Sequence, residues 1–323
     1  MNISMYKKRK SIFDDIVQQA YLVAQQWAMS VADQVPVPLH KLAKEKNIHH
    51  IRFEPLISTS GLVKAKDGFD IFINTEAIGV THNQKAGTVQ EINSTAWSNF
   101  DPSLLFGIAH EIAHVIFLDV AGGIQKKELL RRHNVKLERA CSNMARMLLI
   151  PKQRLIREIE GRLFDVNHIE TLVKLFNVSS EVFIWRFQLM DVKDVFKDAD
   201  GLLAYTHVEK KEQIVIRIIA CHIWGDLAKI RFTIERDNKQ RVFPEGLGLR
   251  ELPIFKLDSE FDAKFDEVNS WLLENEKGKI QLQVPWTRDS FLPCELNFCR
   301  IQNRSDELLI GIKVAGNIGK RRI

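Results

Sequence analysis

Two different spacings of apolar residues divide the chain into helices and strands. Between Ser11 and Asp33, apolar side chains recur every three or four residues, which predicts a long amphipathic helix with one buried stripe. Residues 69–74 instead place apolar side chains at every second position, which is the period of a strand. Together with residues 51–54 and 61–65, they predict a small antiparallel sheet.

The helix with the clearest start and stop signals is predicted for residues 102–120. Asp101 suits the N-cap, Pro102 suits the first helical position, and Gly122 supplies the end. The polar residues 78–100 before it lack a clear period, so we predict a loop there.

Downstream of that helix, the pattern stays helical and then changes to strands. Residues 137–149 predict a helix, and the pair at 169–178 and 180–190 has the layout of a helix-turn-helix. Strand character dominates after residue 198, so we place a domain boundary there. The predicted strands of this last part are 202–208, 213–220, 228–234, 279–284, 295–301 and 308–314.

Composition and charge narrow the class of protein. The 323 residues are 45% apolar and 27% charged, which excludes a disordered, collagen-like or disulfide-scaffold chain. The four cysteines form no Cys-x-x-Cys pair, and the first residues lack the unbroken apolar stretch of a signal peptide, so a cytoplasmic protein is expected. Residues 103–122 are long and apolar enough for a membrane span, but four titratable side chains near their middle argue against one.

The candidate chemistry is concentrated in the segment His110-Glu-Ile-Ala-His114, an H-E-x-x-H motif on the predicted helix. Residues four apart lie above one another on a helix, so both imidazoles can reach one metal ion while Glu111 lies beside its open position. Two imidazoles and a carboxylate suit zinc. Zinc lowers the pKa of bound water to about 7, and Glu111 is placed to act as the general base. The motif therefore predicts a metallopeptidase with one zinc ion per chain.

The third zinc ligand has several candidates in the sequence. Asp119 lies five residues after the motif and is rotated off the metal face, which favours a surface role. Glu128 and His133 fall in a charged connection where solvated side chains are the norm, although His133 could polarise a substrate carbonyl. Glu138 opens the next helix ahead of small side chains that allow close packing, and it is the best candidate. Cys141 competes with it, but a buried structural thiol is the favoured interpretation.

Two segments on these helices make a family resemblance specific. The run Phe106-Gly-Ile-Ala-His-Glu-Ile-Ala-His114 is followed by Glu138-Arg-Ala-Cys-Ser-Asn-Met-Ala-Arg-Met-Leu-Leu-Ile-Pro151, and together they resemble the ImmA/IrrE family of metallo-endopeptidases. The resemblance covers about residues 11–192. It implies zinc ligation by His110, His114 and Glu138, with Glu111 as general base. One departure is Ala113, where a Gly commonly precedes the second histidine.

The pattern and the resemblance together predict an α+β protein of three parts. Residues 1–151 are expected to form a zincin-like metallopeptidase domain with the small antiparallel sheet. Residues 152–197 are expected to form a helix-turn-helix-like segment, and residues 198–323 a strand-rich regulatory or sensor-like domain. The resemblance to longer relatives makes a GAF-like fold an option for this last part, while a strand-rich core without a ligand site is preferred.

The leading hypothesis is a cytoplasmic zinc endopeptidase. As the resemblance implies, its substrate is a helix-turn-helix transcriptional repressor or another regulatory protein. The alternative is a DNA-binding transcriptional or stress-response regulator with a non-catalytic zincin domain. Residues 152–197 carry eight basic and seven acidic side chains, whereas a DNA-reading module needs a basic face, so DNA binding ranks second. A sensing or protein-interaction role of the strand-rich part is compatible with the leading hypothesis.

Substrate is expected to bind as an added strand along residues 69–74. Zinc peptidases hold an extended backbone across the metal, and a short strand at the edge of a sheet offers backbone hydrogen bonds to it. The predicted substrate-binding residues are Phe69, Asp70, Ile71, Phe72, Ile73 and Asn74, with His133 as a further candidate.

Overall fold

The computed structural model describes residues 12–76, 87–91, 100–122, 134–190, 201–210, 214–224, 275–287, 290–301 and 304–314. The chain divides into two units, Met1–Leu155 with Phe176–Val178, and Ile156–Leu175 with Ser179–Ile323. The three predicted domain ranges, and the regulatory role of the last one, stay predictions.

Helix α3 is central to the first unit. It spans Pro102–Ala121, and both α1 (Ile12–Ser30) and α4 (Asn134–Leu149) pack against it. The Asp101 carboxylate accepts a 2.8 Å hydrogen bond from the backbone N–H of Ser103, so the predicted N-cap is confirmed. Helix α3 is long and apolar enough to cross a membrane, but most of its apolar side chains are buried against its neighbours, which makes it a core helix of this unit.

A four-stranded sheet also packs against α3 in the first unit. Its strands, preceded by the short helix α2 (Leu39–Glu45), are β1 (Ile48–Glu54), β2 (Ser60–Ala65), β3 (Gly68–Asn74) and β4 (Val89–Glu91). The order is β2-β3-β1-β4, and β1 pairs with β3 in parallel while the other pairs are antiparallel. The sheet is therefore mixed, where an antiparallel one was predicted. The chain crosses from β1 to the outer strand β2 and then turns back into β3, which lies between them. Because β2 runs antiparallel to β3, β3 runs parallel to β1.

The second unit is built from helices and an antiparallel sheet. Its elements include part of α5 (Lys152–Ile159), then α6 (Val166–Phe176), α7 (Ser180–Gln188), β5 (Gly201–Lys210), β6 (Ile214–Trp224), β7 (Lys277–Thr287), β8 (Ser290–Ile301) and β9 (Arg304–Val314). The strand order is β6-β5-β9-β8-β7, and α7 packs against β5 and β6. The helix pair α6 and α7 was predicted, whereas α5 was not. The predicted strand at 228–234 lies outside the described residues.

A buried amide lies where α6 begins against this sheet. Asn297 of β8 pairs with Gly311 of β9, and a Cβ atom at Gly311 would lie 2.5 Å from atoms of both Phe164 and Val166. The Asn297 side chain is 1% exposed, and neither its Nδ2 nor its Oδ1 has a hydrogen-bond partner in the described part of the chain. Leaving such a group unpaired costs about 1–3 kcal/mol, so an apolar side chain at this position is expected to stabilise the core.

The α+β class and the strand-rich C-terminal part are confirmed. The helices around the H-E-x-x-H motif agree with the prediction at the start of α3, Pro102, and the end of α4, Leu149, whereas α4 begins at Asn134, three residues before its predicted start. The fold thereby sets α3, α4 and the sheet against one another in the first unit, and the candidate site lies among them.

Candidate metal centre

The three predicted ligands lie together in the first unit. His110 and His114 stand one turn apart on α3, and their Nε2 atoms are 3.1 Å apart. Glu138, in the second turn of α4, places Oε2 3.0 Å from His110 Nε2 and Oε1 3.5 Å from His114 Nε2. No other group of three His, Cys, Asp or Glu donors comes together in this way among the described residues.

The separations of the donor atoms fit a tetrahedral zinc ion. Zinc bonds of about 2.0–2.1 Å to nitrogen and oxygen place neighbouring ligand atoms about 3.3 Å apart. The observed values of 3.0, 3.1 and 3.5 Å bracket that distance. Both histidine side chains are largely buried, while the Glu138 side chain is 49% exposed and leaves the group accessible to water.

Burial holds both histidines in the neutral form that can bind a metal. Desolvation lowers the pKa of His110, the charge of Arg146 lowers it further, and Glu138 opposes the shift. Desolvation also lowers the pKa of His114, and repulsion from His110 when that ring is protonated lowers it further. A neutral imidazole leaves one ring nitrogen with a free lone pair, which is the form that ligates zinc.

The predicted general base, Glu111, is buried beside the ligands. Its side chain is 4% exposed, and its Oε1 accepts a 2.6 Å hydrogen bond from Ser60 Oγ at the start of β2. Desolvation raises the pKa of Glu111, and the hydrogen bond from Ser60 opposes that rise. Sequence reasoning missed Ser60, because 51 positions separate it from Glu111 and no local pattern links them.

Further side chains on α4 support the first histidine. Ser142 Oγ lies 3.3 Å from His110 Nδ1, where its hydroxyl can accept a hydrogen bond from the ring N–H and so fix which nitrogen is free. One turn later, the Arg146 guanidinium stacks on the Phe106 ring at 5.5 Å. Ser142 follows Glu138 by four residues, so its place on the same helix face was the sequence signal that could have identified it.

The competing ligand candidates lie elsewhere or outside the described residues. Asp119 forms a 2.9 Å ion pair with Lys46 on the surface, which agrees with the predicted surface role. Cys141 is buried, and desolvation followed by the charges of Glu138 and Glu111 raises the pKa of its thiol well above the usual range. Glu128 and His133 fall outside the described residues.

The predicted substrate strand is not an edge strand. β3 lies between β2 and β1 and pairs with both, so its backbone hydrogen-bonding groups are already used within the sheet. The prediction that substrate adds along Phe69–Asn74 is therefore wrong. The alternating pattern correctly indicated a strand with a buried face, including Ile71 and Ile73, but it carried no information about which strands lie beside it.

The polar side chains of β3 have structural partners instead. Asp70 accepts a 2.8 Å hydrogen bond from Arg52 and lies 3.0 Å from His50 Nδ1. Desolvation opposes ionisation of Asp70, yet these two partners hold its pKa below the ordinary value. Asn74 bonds to both backbone groups of Leu56 and so fixes the connection before β2. Phe72 lies beside Arg52, with its ring centre 5.9 Å from the guanidinium carbon.

β2 is one of the two edge strands of this sheet, with β4 at the opposite edge. The Asn74 backbone N–H donates to the Thr59 carbonyl at 3.0 Å, so Thr59 and Asn74 form a hydrogen-bonded pair. Hydrogen-bonded and non-hydrogen-bonded pairs alternate along an antiparallel ladder. The backbone N–H and C=O groups of Ser60, Leu62 and Lys64 therefore point away from β3. In agreement with this, the Ser60 carbonyl accepts a 2.8 Å hydrogen bond from the Ser58 hydroxyl rather than from β3. Within the described residues, no strand pairs with the outer side of β2.

Comparison with known proteins confirms the family resemblance for one part of the chain. Residues 101–188 match the family model described as "Peptidase_M78: IrrE N-terminal-like domain", which supports a metallopeptidase-type fold there. Among solved structures, the chain is similar to a "Mycobacterium tuberculosis transcriptional regulator" at 11% identity and a TM-score of 0.46, over 94% of this chain and 80% of that chain. No curated protein matches the chain.

Proposed function

We propose that this chain is a zinc-dependent endopeptidase that cleaves a regulatory protein, with a helix-turn-helix transcriptional repressor as the favoured substrate. The observation that carries the proposal is the donor set of His110, His114 and Glu138, with the carboxylate of Glu111 buried beside it. The match of residues 101–188 to a peptidase family model supports the same chemistry.

Each side chain of the centre has a defined role under this proposal. His110, His114 and Glu138 would hold the zinc ion, which supplies a Lewis acid that polarises a peptide carbonyl and lowers the pKa of water. Glu111 would accept the proton of the attacking water and return it to the leaving amine. Ser142 would hold the His110 ring in the required orientation, since it lies beside the second ring nitrogen.

The substrate would bind in extended form along β2. The outward backbone groups of Ser60, Leu62 and Lys64 offer the hydrogen bonds that an added strand requires. The side chain at the start of this strand touches Glu111, so a peptide paired with β2 would run next to the general base. An unfolded or extended segment of a regulatory protein fits such an edge, whereas a folded helix does not.

The test measures zinc content and peptide cleavage in the purified full chain, using a random library of quenched fluorescent peptides and a repressor encoded beside the gene. Wild type should hold about one zinc ion and cleave. Glu111→Gln should keep the zinc and lose cleavage, because the base is not a ligand. His114→Ala should lose both. Loss of zinc from Glu111→Gln together with its retention in His114→Ala would sink the assignment.

A DNA-binding regulator with a non-catalytic zincin domain ranks second. It requires one helix of the α6–α7 pair to present polar and basic side chains to a groove. Most of α7 is buried, including Arg186, and the helix packs against β5 and β6. Its exposed residues are Glu181 and Gln188, neither of which is basic. The surface of α7 therefore supports the protease proposal over DNA reading.

A further inference from the structure

We propose that Ser60 is a positioning residue that couples the docking of a substrate strand on β2 to the orientation of Glu111. The inference rests on the proposed function. Ser60 takes part in two features at once: its hydroxyl bonds to Glu111 at 2.6 Å, and its backbone belongs to the open edge of the sheet.

The Ser60 hydroxyl contacts the Glu111 carboxylate directly. It donates to Glu111 Oε1 at 2.6 Å, a short distance for a hydrogen bond between two oxygen atoms. Within the described residues, Ser60 is the hydrogen-bond donor to this buried carboxylate, and it holds Oε1. Oε2 is thereby left for the proton that the base must accept, and rotation of the carboxylate is restrained.

Ser60 is also the first residue of the edge strand β2. An unpaired edge is held on one side only, and pairing with a second strand fixes it on both sides. The Ser60 carbonyl is occupied by the Ser58 hydroxyl, which an N–H group of a docked peptide can replace. Docking would therefore order the residue whose side chain fixes Glu111, and the base would be held most firmly when substrate is in place.

A positioning role of Ser60 and a purely structural role have different effects on catalysis. A structural role would lower stability or zinc content and leave the chemical step unchanged. A positioning role predicts that Ser60→Ala lowers kcat about 10- to 100-fold, the range typical of groups that orient a site, with zinc content and KM close to wild type. Ser60→Thr should restore kcat because it keeps the hydroxyl. Ser60 lies beside Gly107, which carries no side chain: a Cβ atom at Gly107 would lie 3.8 Å from Ser60 Cβ.

The kinetic experiment uses the zinc-loaded full chain and the best-cleaved peptide from the quenched fluorescent library. Ser30→Ala is the matched control, because it removes a serine hydroxyl that bonds to Trp27 on the exposed end of α1. The expected order of kcat is wild type, Ser30→Ala and Ser60→Thr together, with Ser60→Ala well below them. Wild-type kcat in Ser60→Ala overturns the proposal, as does failure of Ser60→Thr to recover.

A second readout does not depend on cleavage. Unfolding midpoints in urea are compared for Ser60→Ala, Glu111→Ala and the double variant at equal zinc content. If the two side chains interact as the structure shows, the double variant is less destabilised than the sum of the single changes. Additive changes overturn the contact itself. A wild-type chain that cleaves no peptide refutes the proposed function and with it the catalytic part of this inference, whereas an active chain unaffected by Ser60→Ala refutes the inference alone.

Discussion

Replacing Glu138 by Ala tests the metal centre most directly. Its carboxylate oxygens lie 3.0 and 3.5 Å from the Nε2 atoms of His110 and His114, so the change removes one of three donors. The side chain is 49% exposed, and its loss leaves no cavity in the core. We therefore expect a folded protein whose zinc affinity falls by well over 100-fold, beyond the roughly 10- to 100-fold loss typical of residues that only support a ligand.

This loss of affinity should also appear as a loss of stability. At free zinc equal to about 100 times the wild-type Kd, bound zinc stabilises the folded state by about 2.7 kcal/mol. A variant that binds 100-fold more weakly keeps only about 0.4 kcal/mol of this at the same zinc concentration. The difference of about 2.3 kcal/mol corresponds to a fall in Tm of roughly 5–9 °C for a unit of this size.

The assay combines zinc analysis of the purified variants with thermal unfolding in buffered zinc and in chelator. Asp119→Ala is the control, because it removes a carboxylate from α3 that pairs with Lys46 rather than with the histidines. Its zinc content and zinc-dependent Tm should match wild type. If zinc is lost from Asp119→Ala or Cys141→Ala and retained in Glu138→Ala, the ligand assignment is wrong. An equal fall in Tm with and without zinc would show that Glu138 acts through packing.

Two further predictions concern the sheet of each unit. Leu62→Pro removes a backbone N–H that points away from β3, so it should raise KM for peptides while the Tm changes little. Val63→Pro removes a backbone N–H that pairs with β3, so it should lower the Tm instead. Equal Tm loss in both variants would contradict the assigned open edge. Asn297→Leu should raise the free energy of unfolding by about 1–3 kcal/mol in urea with an unchanged m value, because it removes a buried amide that has no partner among the described residues. An unchanged or lowered free energy of unfolding in Asn297→Leu would contradict this reasoning.

The sequence by itself located the candidate chemistry. The fixed spacing of His110 and His114 needs only a helix to bring both imidazoles to one side, and the cap at Asp101 identified that helix. Glu138 could be found because it lies near the start of a helix whose small side chains allow α3 and α4 to approach. Helical periodicity is a local property, so α1, α3 and the α6–α7 pair could be predicted with nearly correct ends.

The tertiary structure decided which strand lies at the edge and which residue holds the base. A period of two residues tells which side chains of β3 face the core, but the neighbours of β3 depend on the path of the chain between β1 and β2. That path placed β2 outermost, overturned the substrate strand predicted at Phe69–Asn74, and brought Ser60 within 2.6 Å of Glu111. Contacts between residues 51 positions apart arise from packing of the whole unit, and no local spacing encodes them.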